Sequence, residues 1–273
     1  MNGQRLIKMS KLSSFSVDTF TGPNLLGNPA LICLADAPLQ DDVMRQISIN
    51  SVNKATAIAF IWPEREVWRI RSFSNSGEIK FCGHASLAAC AVIFSHLKNG
   101  ATEIKLCTSL LDIMARFSGD RASMSIPAFS YQQVPISISP FSSLQGQKVE
   151  DLYYGNETFF MRLSSKEDVL NFKPDLRYLK TQKLYLVVTA HGETCDFVSR
   201  FFGPASGQDE DPVTGSAHCV LAQIWADILG KRSFIARQLS TRGGQLEIEL
   251  GEDRSSLMMS GKVSIRKNIM LDL

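Results

Sequence analysis

Two short stretches of the chain combine glycine with small or protic residues at what reads as the first turn of a helix: Gly83-His84-Ala85 and Gly215-Ser216-Ala217. A helix start offers unpaired backbone N–H groups and the positive end of the helix dipole, so it attracts anionic groups. Glycine at that step lets a ligand come close to the backbone. Two such starts pointing into one cleft can hold a carboxylate and stabilise an enolate-like or carbanionic intermediate. Taken singly, each tripeptide is equally compatible with an ordinary core helix that happens to begin with glycine.

Groups that can move protons stand beside both starts. Asp211 ends the acidic run Asp209-Glu210-Asp211 and is followed by Pro212, four residues ahead of Gly215. Repulsion among adjacent acids, together with partial burial, raises a carboxylate pKa toward the range useful for proton transfer; the plainer alternative is a solvated acidic turn. His84 falls in the first turn of its helix, where it can donate a hydrogen bond to a substrate or carry a proton near neutral pH, although a histidine there also serves structure alone. Cys82, one residue before Gly83, is a candidate thiolate base at a helix N-terminus. The corresponding residues of the second stretch are Val213 and Thr214, and Cys219 comes several residues later, so a two-cysteine racemase is disfavoured. His218 is expected inside its helix, and His96 and His191 have no suggestive neighbours. The chain has no G-x-S-x-G elbow, no G-x-G-x-x-G and no P-loop, so neither a serine hydrolase nor a nucleotide cofactor is supported. No patterned pair of arginines is visible that would fix a second carboxylate.

The elements that must position these residues are mostly strands. Segments 13–20, 30–34, 56–61, 67–73, 104–108, 113–117 and 121–126 are short and apolar or alternate polar with apolar, as strands do. Helical patterns cover 40–49, 86–97 and 217–229, the last two rich in Ala, Leu and Val and expected to be buried. This is an α+β pattern rather than regular βαβ alternation. A turn at 117–122 is the expected boundary between an N-terminal lobe, 1–118, and a C-terminal lobe, 119–273, whose last strand is allowed to cross back to the first. The Ser- and Pro-rich stretch 135–147 reads as a loop or linker.

An internal echo ties elements to chemistry. Arg71-Ser72-Phe73 precedes Gly77-Glu78 and then Cys82-Gly83-His84-Ala85; Arg200-Phe201-Phe202 precedes Glu210-Asp211 and then Thr214-Gly215-Ser216-Ala217-His218. Two similar lobes, each with a strand, a polar loop and a glycine step into a buried helix, would set the helix starts face to face across a cleft.

Composition narrows the function classes. The chain has 273 residues, 29 Lys plus Arg against 27 Asp plus Glu, and a net charge of +2. The charges are interspersed, unlike the basic stripe of a nucleic-acid binder. A hydrophobic fraction of 44% is that of a folded, soluble chain. No apolar run reaches the length of a membrane span, and the first ten residues do not resemble a signal peptide, so a cytoplasmic location is expected. The six cysteines, Cys33, Cys82, Cys90, Cys107, Cys195 and Cys219, form no CxxC pair and are expected as free thiols in a reducing compartment. No metal is expected.

The motifs Val17-Asp18-Thr19-Phe20, Gly27-Asn28-Pro29-Ala30, Cys82-Gly83-His84-Ala85-Ser86-Leu87 and Glu210-Asp211-Pro212-Val213-Thr214-Gly215-Ser216-Ala217-His218, followed by Gln238-Leu239-Ser240-Thr241-Arg242-Gly243-Gly244, occur in order from about residue 15 onward. Together they resemble the phenazine-biosynthesis isomerase (PhzF-like) family. The resemblance implies a diaminopimelate-epimerase-like fold, two alike lobes each wrapping a sheet round a central helix, with the site between them. It further implies a cofactor-independent homodimer that isomerises or epimerises a small carboxylated metabolite by proton transfer at carbon. By the same resemblance, His84 and Asp211 assist proton movement, while Gly83, Gly215 and Ser216 bind substrate oxygen.

One departure is serious. The family's general acid/base is a glutamate in a segment similar to Asn-Leu-Ser-Glu-Thr-Ala-Phe, and here that stretch reads Val52-Asn53-Lys54-Ala55-Thr56-Ala57-Ile58, with Ala55 at the glutamate position. Sliding by one residue would offer Lys54, as a base only if burial depressed its pKa. The loop 74–78 also lacks the family's usual Thr-Pro start, and its Glu78 is a weak substitute. Two readings follow: an isomerase or epimerase in which Asp211 and His84 handle the proton, or a catalytically impaired homologue that binds a small carboxylate or a protein in the same cleft. A lyase would share the first step of the isomerase.

Overall fold

The computed structural model describes residues 11–51, 55–74, 76–96, 101–141 and 148–272. Its elements run β1 Lys11–Thr21, β2 Asn28–Leu34, α1 Asp41–Ser51, β3 Ala57–Glu64, β4 Val67–Ser74, β5 Gly77–Ile79, α2 Gly83–His96, β6 Ile104–Cys107, β7 Asp112–Ser118 and β8 Arg121–Pro127. After β9 Gln132–Val134 come β10 Val149–Gly155, β11 Thr158–Leu163, α3 Lys166–Asn171, α4 Leu176–Gln182, β12 Tyr185–His191, β13 Phe197–Gly203, β14 Gln208–Asp211, α5 Gly215–Leu229, β15 Ser233–Gln238, β16 Gly244–Leu250 and β17 Ser256–Asp272.

The strand pairings repeat. β1–β2 is antiparallel, β2–β3 parallel, β3–β4 and β4–β5 antiparallel, β4–β6 parallel, and β6–β7 and β7–β8 antiparallel. The same senses recur in the same order from β10 to β17, with β11–β12 and β13–β15 as the parallel pairs. Each parallel step is bridged by helical chain, because a parallel crossover needs more length than a hairpin turn. The first set closes on itself: β8 pairs with the start of β17, and the rest of β17 runs antiparallel to β1.

The two long central helices are covered on most sides, and their sequences account for it. In α2 Ala85, Leu87, Ala88, Ala89, Cys90, Ala91, Val92 and Ile93 are all buried. A helix apolar all round has no face to give to solvent, and its small side chains let β1, β2, β3, β8 and β17 pack against it. α5 is bulkier. Its Trp225 stacks on Phe197 and donates its indole N–H to Thr189 Oγ1 at 3.0 Å, and Gly230, at φ 65°, caps its C-terminus through a bond to the Ala226 carbonyl.

The sheet-dominated α+β class expected from the sequence is what the chain adopts. The expected strands of 13–126 are all present, and α2 and α5 begin at Gly83 and Gly215, three and two residues before the apolar periodicity starts. No sequence pattern announces the short helices α3 and α4. With six and seven residues they are too brief to set up a repeat, and they are held by the side-chain caps Ser165 and Asp175 instead. The turn at 117–122 closes the β7–β8 hairpin, with Gly119 at φ 62°. Of the stretch 135–147, residues 142–147 lie outside the described residues. Among the described residues no helix is long and apolar enough to cross a membrane.

Candidate active site

The starts of α2 and α5 abut. A Cβ placed on Gly83 would lie 3.4 Å from the Gly215 Cα, and one on Gly215 would lie 3.2 Å from Met259 Sδ. A Cβ at either glycine would just touch the other helix start, and one on Gly215 would also press on the Met259 thioether, so there is little room for anything larger than a methyl group at this step. Both glycines open onto a cavity of about 850 Å³ that is also lined by Ala55, Thr56, Glu78, Cys82, His84, Asp211, Thr214 and Ser216. Five residues singled out from the sequence, Gly83, His84, Asp211, Gly215 and Ser216, thus share one cavity with Ala55.

Asp211 is held as a hydrogen-bond acceptor from both sides. Asn28 Nδ2 donates to Oδ1 at 2.8 Å and Thr214 Oγ1 to Oδ2 at 2.5 Å. Gln238 fixes this turn from behind: its amide donates to the Asp211 carbonyl at 2.7 Å and its Oε1 accepts from the Thr214 N–H at 2.8 Å. Asn28 itself is placed by the turn before β2. Gly27 there has φ 69°, and a Cβ on it would lie 2.1 Å from the Thr19 carbonyl oxygen. Burial pushes the Asp211 pKa up to about 6, against the lowering effect of its bonds from Thr214 and Asn28; the charge of Glu210 adds least. Repulsion among adjacent acids, expected from the sequence to share in this shift, is therefore a minor contributor. Glu210 is tied up in a two-pronged pair with Arg200, so desolvation is the main cause.

The network continues across the cavity and sets the tautomer of His84. Asn28 Nδ2 also donates to the Val213 carbonyl at 2.7 Å, so both its amide hydrogens are spent and its Oδ1 must accept. Thr56 Oγ1 lies 2.5 Å from that oxygen and 2.9 Å from the Pro29 carbonyl. Its single hydrogen goes to one of these acceptors, leaving Oγ1 to accept from His84 Nε2 at 3.0 Å. His84 therefore carries its proton on Nε2, and its basic Nδ1 faces Cys82 Sγ at 3.4 Å, where the thiol donates. Burial pushes the His84 pKa down to about 4 and the Cys82 thiol up to about 12. At neutral pH the cavity holds a carboxylate at Asp211, a neutral imidazole at His84 and an intact thiol at Cys82.

Other candidates fall into place around this set. Ala55 is 9% exposed and turns a methyl group to the cavity. Lys54 lies outside the described residues. Glu78 reaches the cavity wall, but Arg71 grips both its carboxylate oxygens at 2.8 and 2.7 Å and holds its pKa below the usual range, so it is no free base. His218 is in the interior of α5, bonded to the Thr214 carbonyl, and Cys219 lies deep beside it bonded to the Gly215 carbonyl. Among the described residues no cluster of three or more His, Cys, Asp or Glu is placed to hold a metal ion. Sequence reasoning missed Asn28, Thr56, Thr214 and Gln238 as site residues. The signals were a Gly-Asn-Pro punctuation mark before a strand, and a glutamine in a motif noted for its glycines.

This sheet-rich α+β chain, whose two glycine-started helices meet over a carboxylate and an imidazole, has an epimerase-like fold. The likeness is visible at the level of fold in a hydroxyproline epimerase from Agrobacterium vitis, with 14% identity and a TM-score of 0.64 over 100% of this chain and 94% of that one. The particular family is given by the sequence as a whole: residues 17–267 match the model of phenazine biosynthesis-like (PhzC-PhzF) proteins, and the chain belongs to that family. It is 35% identical to an uncharacterized isomerase of Pseudomonas aeruginosa, over 93% of this chain and 99% of the relative. A PhzF-family crystal structure from Enterococcus faecalis superposes with a TM-score of 0.87 at 29% identity, covering 97% of this chain and 100% of the other.

Proposed function

We propose that the protein is a cofactor-independent isomerase or epimerase that transfers a proton at a carbon atom of a small carboxylated metabolite. The observation that carries this reading is a half-buried carboxyl, Asp211, with a pKa pushed up to about 6, facing a cavity into which two helix starts open. The substrate carboxylate or the developing enolate oxygen lies at the N–H groups of Gly83, Gly215 and Ser216, where backbone dipoles favour negative charge. Asp211, ionised at neutral pH, takes the proton from the carbon beside it. The Cys82 thiol, bonded to the basic nitrogen of His84, is a group in the same cavity with a proton to give. Return of the proton to another carbon yields an isomer, and return to the opposite face yields an epimer. The setting we propose is a cytoplasmic homodimer acting on a metabolite rather than on nucleic acid or a membrane.

Ala55 favours a second reading, an impaired homologue that binds a small carboxylate or a protein in this cavity, because a methyl group cannot carry a proton. Deuterium uptake from heavy water into a panel of small amino and hydroxy carboxylates, followed by NMR, separates the two. Exchange in the wild type that Asp211→Asn abolishes supports the isomerase. Exchange seen only after Ala55→Glu supports the binding protein.

A further inference from the structure

The cavity has a second charged wall. Asp18, in β1 and 2% exposed, is paired with two arginines from distant parts of the chain. Arg242 NH2 donates to Asp18 Oδ1 at 2.7 Å, while its Nε donates to the Gly27 carbonyl at 2.8 Å. Arg266 Nε pairs with Asp18 Oδ2. Asp18, Arg242, Arg266 and Ser16 all line the same cavity as Asp211 and the two helix starts.

The backbone is built to bring Arg266 there. Along the β1–β17 ladder Ser16 pairs with Lys267 and Val17 with Ile265, so Arg266 is the extra residue of a bulge. A bulge breaks the two-residue alternation and re-aims one side chain. The link to the proton-moving end is short: Arg242 binds the carbonyl of Gly27, and the next residue, Asn28, binds Asp211. Two guanidiniums share one carboxylate, so the group keeps one net positive charge. A planar guanidinium that gives Nε to one carboxylate keeps donors on its other edge for a second.

We propose that Arg266, with Arg242 behind it, forms a second anion subsite, and that the substrate is a dicarboxylate whose remote carboxylate docks there. The inference rests on the proton-transfer reading for the other end of the substrate, and it names the substrate class. Size agrees: a cavity of about 850 Å³ lies in the upper part of the range of pockets that enclose drug-sized ligands, and a minimal amino acid would fill little of it. Asp18 is the organiser. It draws the two arginines together and cancels one of their charges.

The test is a calorimetric titration of the full chain at one fixed ionic strength with succinate and glutarate against acetate and butanoate. The wild type should bind the dicarboxylates at least about tenfold more tightly, one bidentate charge-assisted contact being of that order. Arg266→Met, which keeps the apolar stem, should erase that preference; Arg266→Lys should restore part of it. Absence of dicarboxylate binding, equal affinity for the two classes, or a preference that survives Arg266→Met would overturn the subsite. A preference that depends on Arg266 in a protein that exchanges no deuterium would leave the subsite standing and remove the isomerase reading, so the two failures are distinct.

Discussion

The two halves of the chain build the same device and load it differently. In the first, Arg71 of β4 grips Glu78 of β5 and lies over the ring of Phe73; in the second, Arg200 of β13 grips Glu210 of β14 and lies over Phe202. Each hairpin leads into a glycine-started central helix. After the paired glutamate the halves diverge: Ile79 follows Glu78, whereas Asp211 follows Glu210. At the helix starts Cys82 and His84 stand opposite in order to Thr214 and Ser216. The arginine–glutamate pairs serve as the frame, and the single residue after the glutamate decides which half carries the acid. Burial acts on both halves in one direction, toward neutrality. It pushes His84 down to about 4 and Asp211 up to about 6, which leaves a neutral imidazole and a carboxylate of raised basicity in a shared cavity.

That division of labour can be broken most severely at Asp211. Asp211→Asn should lower deuterium exchange by about two to four orders of magnitude, the usual worth of a positioned acid or base. The same change should raise the unfolding temperature at pH 7. A carboxyl whose folded pKa exceeds its unfolded value costs stability where it is ionised, and that cost vanishes as pH falls from about 6 toward 3.8. A melt of the variant below that of the wild type would count against a strained, functional carboxylate.

The buried histidines, one at each central helix, give the next largest effect. His84 and His218 are both pushed down to about 4 from 6.5 by burial. Between those values the unfolded chain binds the protons that the folded chain refuses, so stability is complete above about 6.5 and is lost as pH falls toward 4. The loss should approach about 3 kcal/mol per histidine, partly offset by Asp211. Urea unfolding at pH 7.0, 5.5 and 4.5 reads it, and His84→Gln or His218→Gln should each flatten the dependence.

Smaller changes sharpen the comparison. The exchange rate should rise with pH to a plateau, with a midpoint near 6 set by Asp211. Thr214→Val removes a bond that holds that pKa down, so the midpoint should move to higher pH; a bond worth about fivefold in the acid constant gives an activity loss at pH 6 of about threefold. Least of all, Thr56→Val should take away the acceptor of His84 Nε2. Nitrogen-15 shifts should then report a mixture of imidazole tautomers, with a loss of exchange of only a few-fold. An unchanged tautomer would mean that Cys82 alone orients the ring.

Much of this arrangement is legible in the order of residues alone. Alternation marks the strands of the first half, and two glycine steps, each following an Arg-x-Phe and a Glu, mark the helix starts. What is not legible is the set of contacts made between segments far apart in the chain. Asn28 touches Asp211, Gln238 holds Thr214, and Arg242 and Arg266 converge on Asp18. No local period encodes these partners. Arg242 and Arg266 form no pattern in the sequence for this reason, since they meet at Asp18 through a bulge in β17 and a loop after β15. Thr56 is visible as a match to a family segment, but its role as the acceptor that fixes His84 follows from counting hydrogens on Asn28.

The pairing of β1 with β17 joins Lys11 to Asp272, and it gives assembly an order in time. During synthesis β1 and β8 emerge with their outer edges unpaired, and they stay so until β17 has left the ribosome, about 6–30 s after β8 at about 5–20 residues per second. For that interval the nascent chain exposes two strand edges able to pair with a neighbour. Arg266 arrives with the strand that seals them, so the cavity gains its last cation in the same event that ends the risk of misassembly.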